Sequence, residues 1–126
     1  MNTTDQTDSL AVLLNEWLRE ARRFGPAPQR PGRPPRWSWA ARLDLHVHAA
    51  HRRPRTLLAM ARDIGERGMA VICREALPLY SAVLVGRAGQ TEAVAARVLD
   101  RTQTVGGYVL ELEFQEGLVR TAVAAA

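Results

Sequence analysis

Asp44, His46 and His48, in the run Asp44-Leu45-His46-Val47-His48, are the residues of this chain with the sharpest potential for chemistry. On a β-strand, side chains two apart project from one face, so the three would point together, and such an imidazole pair can seat a divalent metal. The same positions also read as the polar outer face of a strand whose other face, Leu43, Leu45, Val47 and Ala49, is apolar. The chain has three histidines, His46, His48 and His51. Further imidazole ligands for a catalytic metal therefore have no source, and the solvated face is the preferred reading. Cys73 is the single cysteine and lies in an apolar run, where a buried thiol is inert. Glu111 and Glu113 share a strand face and read as solvated alternation. No phosphate-binding glycine signature occurs. The chain thus reads as non-catalytic, with no cofactor or metal of its own.

The elements that position these residues follow from periodicity. Arg42 to Ala49 is a first strand. Pro54 opens a segment in which Leu57, Met60, Ala61 and Ile64 have the spacing of an amphipathic helix, closed by Gly65 and Gly68. Met69 to Leu77 predicts a second strand and Leu79 to Val85 a third, paired as an antiparallel hairpin. Thr91 to Thr102 predicts a second helix, with Val94, Ala95, Val98 and Leu99 as its buried stripe, and Tyr108 to Phe114 alternates as a fourth strand. The order predicts an α+β, ferredoxin-like βαββαβ fold: an antiparallel sheet with both helices on one face and the first and third strands central.

Residues 1–36 read as an N-terminal extension before a domain at 37–116, and 117–126 as a short tail without an assigned role. Met1 to Ser9 is polar and expected to be disordered. A helix spans about 9–24, with Leu10, Leu13, Leu14, Trp17, Leu18, Ala21 and Phe24 on one apolar face and Asp8 or Ser9 as cap. It docks on its own domain, on a twin subunit or on another protein, where Leu13, Trp17 and Phe24 would be the anchors. The segment 25–36 holds five of the seven prolines and reads as a stiff, extended linker. Arg30, Arg33 and Arg36 beside Trp37 and Trp39 suggest a nucleic-acid strip. That reading is disfavoured because an extended linker gives the arginines no folded surface.

With 126 residues the chain has room for one domain and an appendage. It carries 17 basic residues, all arginine, against 13 acidic ones, net +4, which is weak support for nucleic acid unless clustered. One cysteine suits a reducing compartment. No apolar run approaches the roughly 20 residues of a membrane span, and the polar start is unlike a signal peptide. A soluble cytoplasmic protein without membrane contact is expected.

Residues 42 to about 114 resemble an ACT domain, the small-molecule-sensing regulatory module, and most closely the short small-subunit family of acetolactate synthase, isozyme II type. The likeness rests on Ala50, Pro54, Thr56-Leu57, Arg62, Arg67-Gly68 and Val71, then on 81–85 (SAVLV), 91–105 (TEAVAARVLDRTQTV) and 107–112 (GYVLEL). It implies a homodimer through the ACT-like domain and a regulatory, non-catalytic role. That role is activation of an acetolactate synthase large subunit, which uses thiamine diphosphate, Mg2+ and FAD, in branched-chain amino acid biosynthesis. It also implies that an amino-acid effector, where one binds, lodges at the loop after the first strand, with His51, Arg52, Arg53, Pro54, Arg55 and Thr56 as candidates. Backbone N-H groups at the start of a Pro54 helix would favour its carboxylate, although Arg55 stands where effector-binding members carry Gly. The alternatives are a stand-alone ACT-like sensor or assembly protein for another enzyme and, less favoured, a basic nucleic-acid binder. The string from Asp44 to His48 also resembles the opening of the PHP phosphoesterase family, whose later ligands this chain lacks.

Overall fold

The computed structural model describes residues 3–48 and 53–121. A helix, α1 (Thr3–Arg22), is followed by seven strands: β1 (Trp37–Ser38), β2 (Arg42–Val47), β3 (Arg55–Ile64), β4 (Gly68–Cys73), β5 (Ala82–Arg87), β6 (Glu92–Thr104) and β7 (Gly107–Thr121). β2 pairs with β3 and β5, β6 lies between β5 and β7, and β4 joins β7 back to β3, all antiparallel. Six strands, β2 to β7, thereby close into a barrel, which leaves none of them with a free edge. The short β1 continues the line of β2 along β3, with Trp37 opposite Ile64.

The inward positions of the alternating strands fill the barrel. Leu43, Leu45 and Val47 of β2 meet Ala59 and Ala61 of β3, Met69 and Val71 of β4, Val83 and Val85 of β5, Val94, Ala96 and Val98 of β6, and Leu110 and Leu112 of β7, all buried in one cluster. Cys73 is buried with them. The interior is a packed core, as expected of a barrel this narrow.

This closed barrel overturns the ferredoxin-like, ACT-type expectation, in which 54–64 and 91–102 were helices on one face of a four-stranded sheet. The helical spacing of 57, 60, 61 and 64 has another origin. Leu57, Ala59 and Ala61 alternate as strand residues, and a bulge between Ala61 and Asp63 shifts the parity so that Ile64 also turns inward. Met60 alone separates the two patterns, and it faces outward opposite Ile72. In β6, bulges at Val94/Ala96 and Val98/Asp100 distort the alternation in the same way. Its alanines favour helix intrinsically, but pairing on both sides outweighs that weak preference. The expected hairpin between 69–77 and 79–85 is absent among the described pairings, since β4 lies between β3 and β7 and β5 between β2 and β6. The region expected as a tail extends β7 instead, pairing Val119 with Val94 and Thr121 with Glu92.

α1 starts at Thr3 rather than near Ser9. Leu13, Trp17, Leu18 and Ala21 are buried in the same cluster as the barrel interior. Trp17 stacks on Trp39, centroids 5.6 Å apart. Glu20 pairs with Arg87 at the end of β5, and the Arg22 guanidinium lies 4.9 Å over the Trp37 ring. The helix therefore covers the barrel end where β3 and β5 finish, and two of its three expected partner anchors, Leu13 and Trp17, are spent on this chain's own core. Phe24 lies past the helix and is exposed. Among the described residues, no helix is long and apolar enough to cross a membrane.

Candidate functional site

The proline- and arginine-rich segment is a closed loop rather than an extended linker. Ala27 N donates to Arg36 O at 2.9 Å and Ser38 N donates to Gly25 O at 2.9 Å, so the two ends pair. At the tip, Arg33 N donates to Arg30 O at 3.2 Å, with Gly32 at φ +74. Pro31 then Gly32 in the middle of this turn is the type II pattern, which needs a residue free to adopt positive φ. Arg30 and Arg33 are thereby brought to opposite ends of one turn.

Arg36 fixes this loop to the barrel wall. Its Nη1 donates to Asp63 Oδ1 at 2.8 Å, and its Nη2 forms an ion pair with Glu111. Strand register explains why the carboxylates meet: Asp63 is opposite Ala70, Ala70 opposite Glu111, and Glu111 opposite Asp100, one row across β3, β4, β7 and β6. Ala70 is small enough to leave room between them. Burial pushes the Arg36 guanidinium pKa down, but hydrogen bonds and charge from Glu111 and Asp63 outweigh it, so the pKa lies above its ordinary value. Glu111, expected as a solvated residue beside Glu113, is instead 7% exposed.

Two glycines admit the loop. A Cβ on Gly65 would lie 2.8 Å from Pro35 O and 3.2 Å from Arg36 Cγ; one on Gly68 would collide with the Leu112 carbonyl and approach Arg36 Nη2 to 3.3 Å. Gly65 N also donates to Gly68 O at 2.8 Å, closing the β3–β4 turn. The run Asp63-Ile64-Gly65-Glu66-Arg67-Gly68 thus supplies the carboxylate, the turn and the clearance for Arg36.

Between loop and wall lie three hollows with shared walls. One of about 30 Å³, room for a water, is bounded by Arg30, Arg33, Arg36, Asp63 and Glu111. One of about 220 Å³ lies toward the β3–β4 turn, along Arg33, Arg36, Arg67 and Glu113. One of about 170 Å³ lies over β6 and β7, bounded by Arg30, Arg33, Arg62, Asp100, Thr102, Thr104, Val109 and Glu111. Arg33 and Glu111 border all three. Among the described residues, no carboxylate pairs with Arg30, Arg33, Arg62 or Arg67.

The residues singled out from sequence are placed otherwise. Of the effector-loop candidates, His51 and Arg52 lie outside the described residues. Arg53 and Pro54 are exposed and precede β3 rather than a helix, so no helix N-terminus is available there for a carboxylate. Arg55 pairs with Glu75 at 2.7 Å on the surface, and Thr56 Oγ1 lies 3.0 Å from His46 Nδ1. Asp44 and His46 occupy outward positions of β2 with His48 just beyond it. Among the described residues no three side chains of metal-ligating type come together. Trp39 is buried and Trp37 half-buried under Arg22, so neither offers an open face for base stacking. Arg30, Arg33 and Arg36 were visible in the sequence, but their setting was not: Asp63 and Glu111 hold Arg36, and Arg62 and Asp100 border the same hollow as Arg30 and Arg33. The one available signal was an Asp followed by two glycines, Gly65 and Gly68, in a tight turn. No protein-family model, curated protein or solved structure matches this chain.

Proposed function

We propose that this chain is a non-catalytic binding module whose ligand is a small phosphate-bearing anion, of nucleotide type, held in the cleft between the 25–36 loop and the barrel wall. The observation that carries this reading is the convergence of Arg30, Arg33 and Arg62 on one hollow without carboxylate partners among the described residues. Glu111 is already paired with Arg36, so three arginines against the one carboxylate of Asp100 leave the hollow with excess positive charge that a bound anion offsets. Guanidinium groups bind phosphate through paired N-H donors, which gives geometry as well as charge. Arg36, already neutralised by Asp63 and Glu111, is the anchor of the loop rather than a ligand-binding group. Thr102, Thr104 and Asp100, residues with hydroxyl and carboxylate groups, line the same hollow. They suit a ligand with donors and acceptors beside its phosphates better than inorganic phosphate.

The acetolactate synthase role depended on a βαββαβ fold, and the barrel takes that foundation away. A sensor without catalysis, one of the alternatives read from sequence, is retained in the present form. The test is calorimetric titration of the full chain with pyrophosphate and a panel of nucleoside mono- and diphosphates. Binding that weakens with salt and falls about tenfold or more in Arg33→Ala is the expected result. Failure of every probe at millimolar concentration, or binding that Arg33→Ala and Arg62→Ala leave unchanged, overturns the proposal.

A further inference from the structure

Beside the cleft, with which it shares Arg62 and Val109 at one border, the outer barrel wall carries a compact apolar strip. Leu58 and Met60 face outward from β3, Ile72 sits opposite Met60 on β4, and Val109 sits opposite Ile72 on β7. Leu58, Met60 and Ile72 are 58%, 41% and 44% exposed, at strand positions where a solvated wall ordinarily carries polar residues. Arginines frame the strip. Arg42 is opposite Met60, Arg62 lies two residues beyond it, and Arg74 directly follows Cys73, which is opposite Ala59 at the end of β4. All three are exposed, and among the described residues none pairs with a carboxylate.

We propose that this strip docks an acidic amphipathic segment of a partner protein. The segment's apolar side chains cover Leu58, Met60 and Ile72, and its carboxylates pair with Arg42, Arg62 and Arg74. An apolar centre inside a charged rim is the usual anatomy of a protein-protein contact, and the sign of the rim selects the partner. Met60 adds an adaptable, polarisable surface to the centre. A second copy of this chain fits less well, because a two-fold contact through the strip sets one arginine rim against another. An anionic bilayer also fits less well. The strip lies mid-strand on the barrel flank rather than at a projecting loop tip.

The experiment selects binders to the full chain from a random-peptide phage library and measures the affinity of the enriched peptides by fluorescence anisotropy. Enriched peptides should interleave Asp or Glu with large apolar residues. Their affinity should fall about tenfold or more in Met60→Glu and in Leu58→Ser, fall in Arg42→Glu, and weaken as salt rises. Thermal melts of the three variants, all at exposed positions, establish that they fold. Enrichment of basic or uncharged peptides, or affinities that these variants leave unchanged, overturns the proposal. So does a dimer in analytical ultracentrifugation that Met60→Glu disperses, which assigns the strip to self-contact. Sedimentation with phosphatidylglycerol vesicles that Met60→Glu abolishes likewise overturns it in favour of a membrane surface.

Discussion

Arg36 Nη1 donates to Asp63 Oδ1 at 2.8 Å across 27 residues of sequence. Through Glu111, the same guanidinium also reaches β7. One side chain therefore holds the loop, β3 and β7 together. Arg36→Ala leaves two largely buried carboxylates facing each other without their cation. It is expected to cost about 3 kcal/mol in urea unfolding, at the low end for a broken buried pair because the arginine is partly solvated. The proposed anion binding should fall with it, since the loop that carries Arg30 and Arg33 loses its tie.

The pH behaviour of that tie is also fixed. The folded-state pKa of Arg36 is raised, so its contribution is complete below the unfolded value and is lost only as pH rises through the folded one. Both lie beyond any pH at which the protein would be handled, so the wild-type contribution stays constant into strong alkali. Arg36→Lys brings the loss within reach. A lysine contributes fully below about pH 10.4 and loses its part above that. Stability of Arg36→Lys followed from pH 8 to 11 should fall relative to wild type at the alkaline end, and parallel curves would refute the pairing.

Gly68 faces the Leu112 carbonyl so closely that no Cβ fits without moving β7 away from β4. Gly68→Ala should destabilise by about 2 kcal/mol through overpacking against backbone, which cannot rotate aside. Because Arg36 Nη2 lies 3.3 Å from the same Cβ position, the substitution should also loosen the loop. Faster proteolysis within 25–36, relative to an equally destabilising change such as Val85→Ala, is the measurement that separates the local effect from the global one.

The sequence located most segment boundaries but read two strands, β3 and β6, as helices. β2, β4 and the start of β7 were legible because Leu43/Leu45/Val47 and Leu110/Leu112/Phe114 alternate cleanly against polar neighbours and 69–73 is a short apolar run. β3 was not, because its bulge moves Ile64 into the position a helix would require and the exposed Met60 completes the helical set. β6 was not, because its alanines fit either structure and its strand identity comes from partners far along the chain. The site was legible only as composition. Arg30, Arg33 and Arg36 were evident, but the carboxylate row that seats Arg36 is made by register across β3, β4, β7 and β6, which no local pattern encodes.

Trp17, a candidate partner anchor in the sequence, is buried against Trp39 and is a structural residue of this chain's own core. Trp17→Ala should cost about 4 kcal/mol, the range for removing a large aromatic from a packed core. It should also remove the near-ultraviolet circular dichroism that arises from the Trp17–Trp39 pair while leaving the far-ultraviolet strand signal at low temperature. A fully stable Trp17→Ala protein would mean that α1 does not cover the barrel end in solution.

Tyr80 has φ +66, the one positive value among the described non-glycine residues. It occupies the third position of a turn closed by Ser81 N donating to Pro78 O at 3.2 Å, with Ser81 Oγ donating to the same oxygen at 2.6 Å. A type II turn favours Gly at that position, and a bulky residue there costs about 1–2 kcal/mol of steric strain. The side chain is 68% exposed, so little packing offsets the strain. Glycine relieves it but adds about 0.5–1 kcal/mol of unfolded-state entropy. Tyr80→Gly should therefore stabilise by only about 0.5 kcal/mol, and Tyr80→Asn, which tolerates the left-handed region with less entropy, by somewhat more. Tyr80→Val should destabilise, since β-branching makes the conformation harder still. If thermal melts rank Tyr above both Gly and Asn, the exposed ring is making a contact that outweighs its backbone strain, and the turn is held for that contact rather than in spite of the residue.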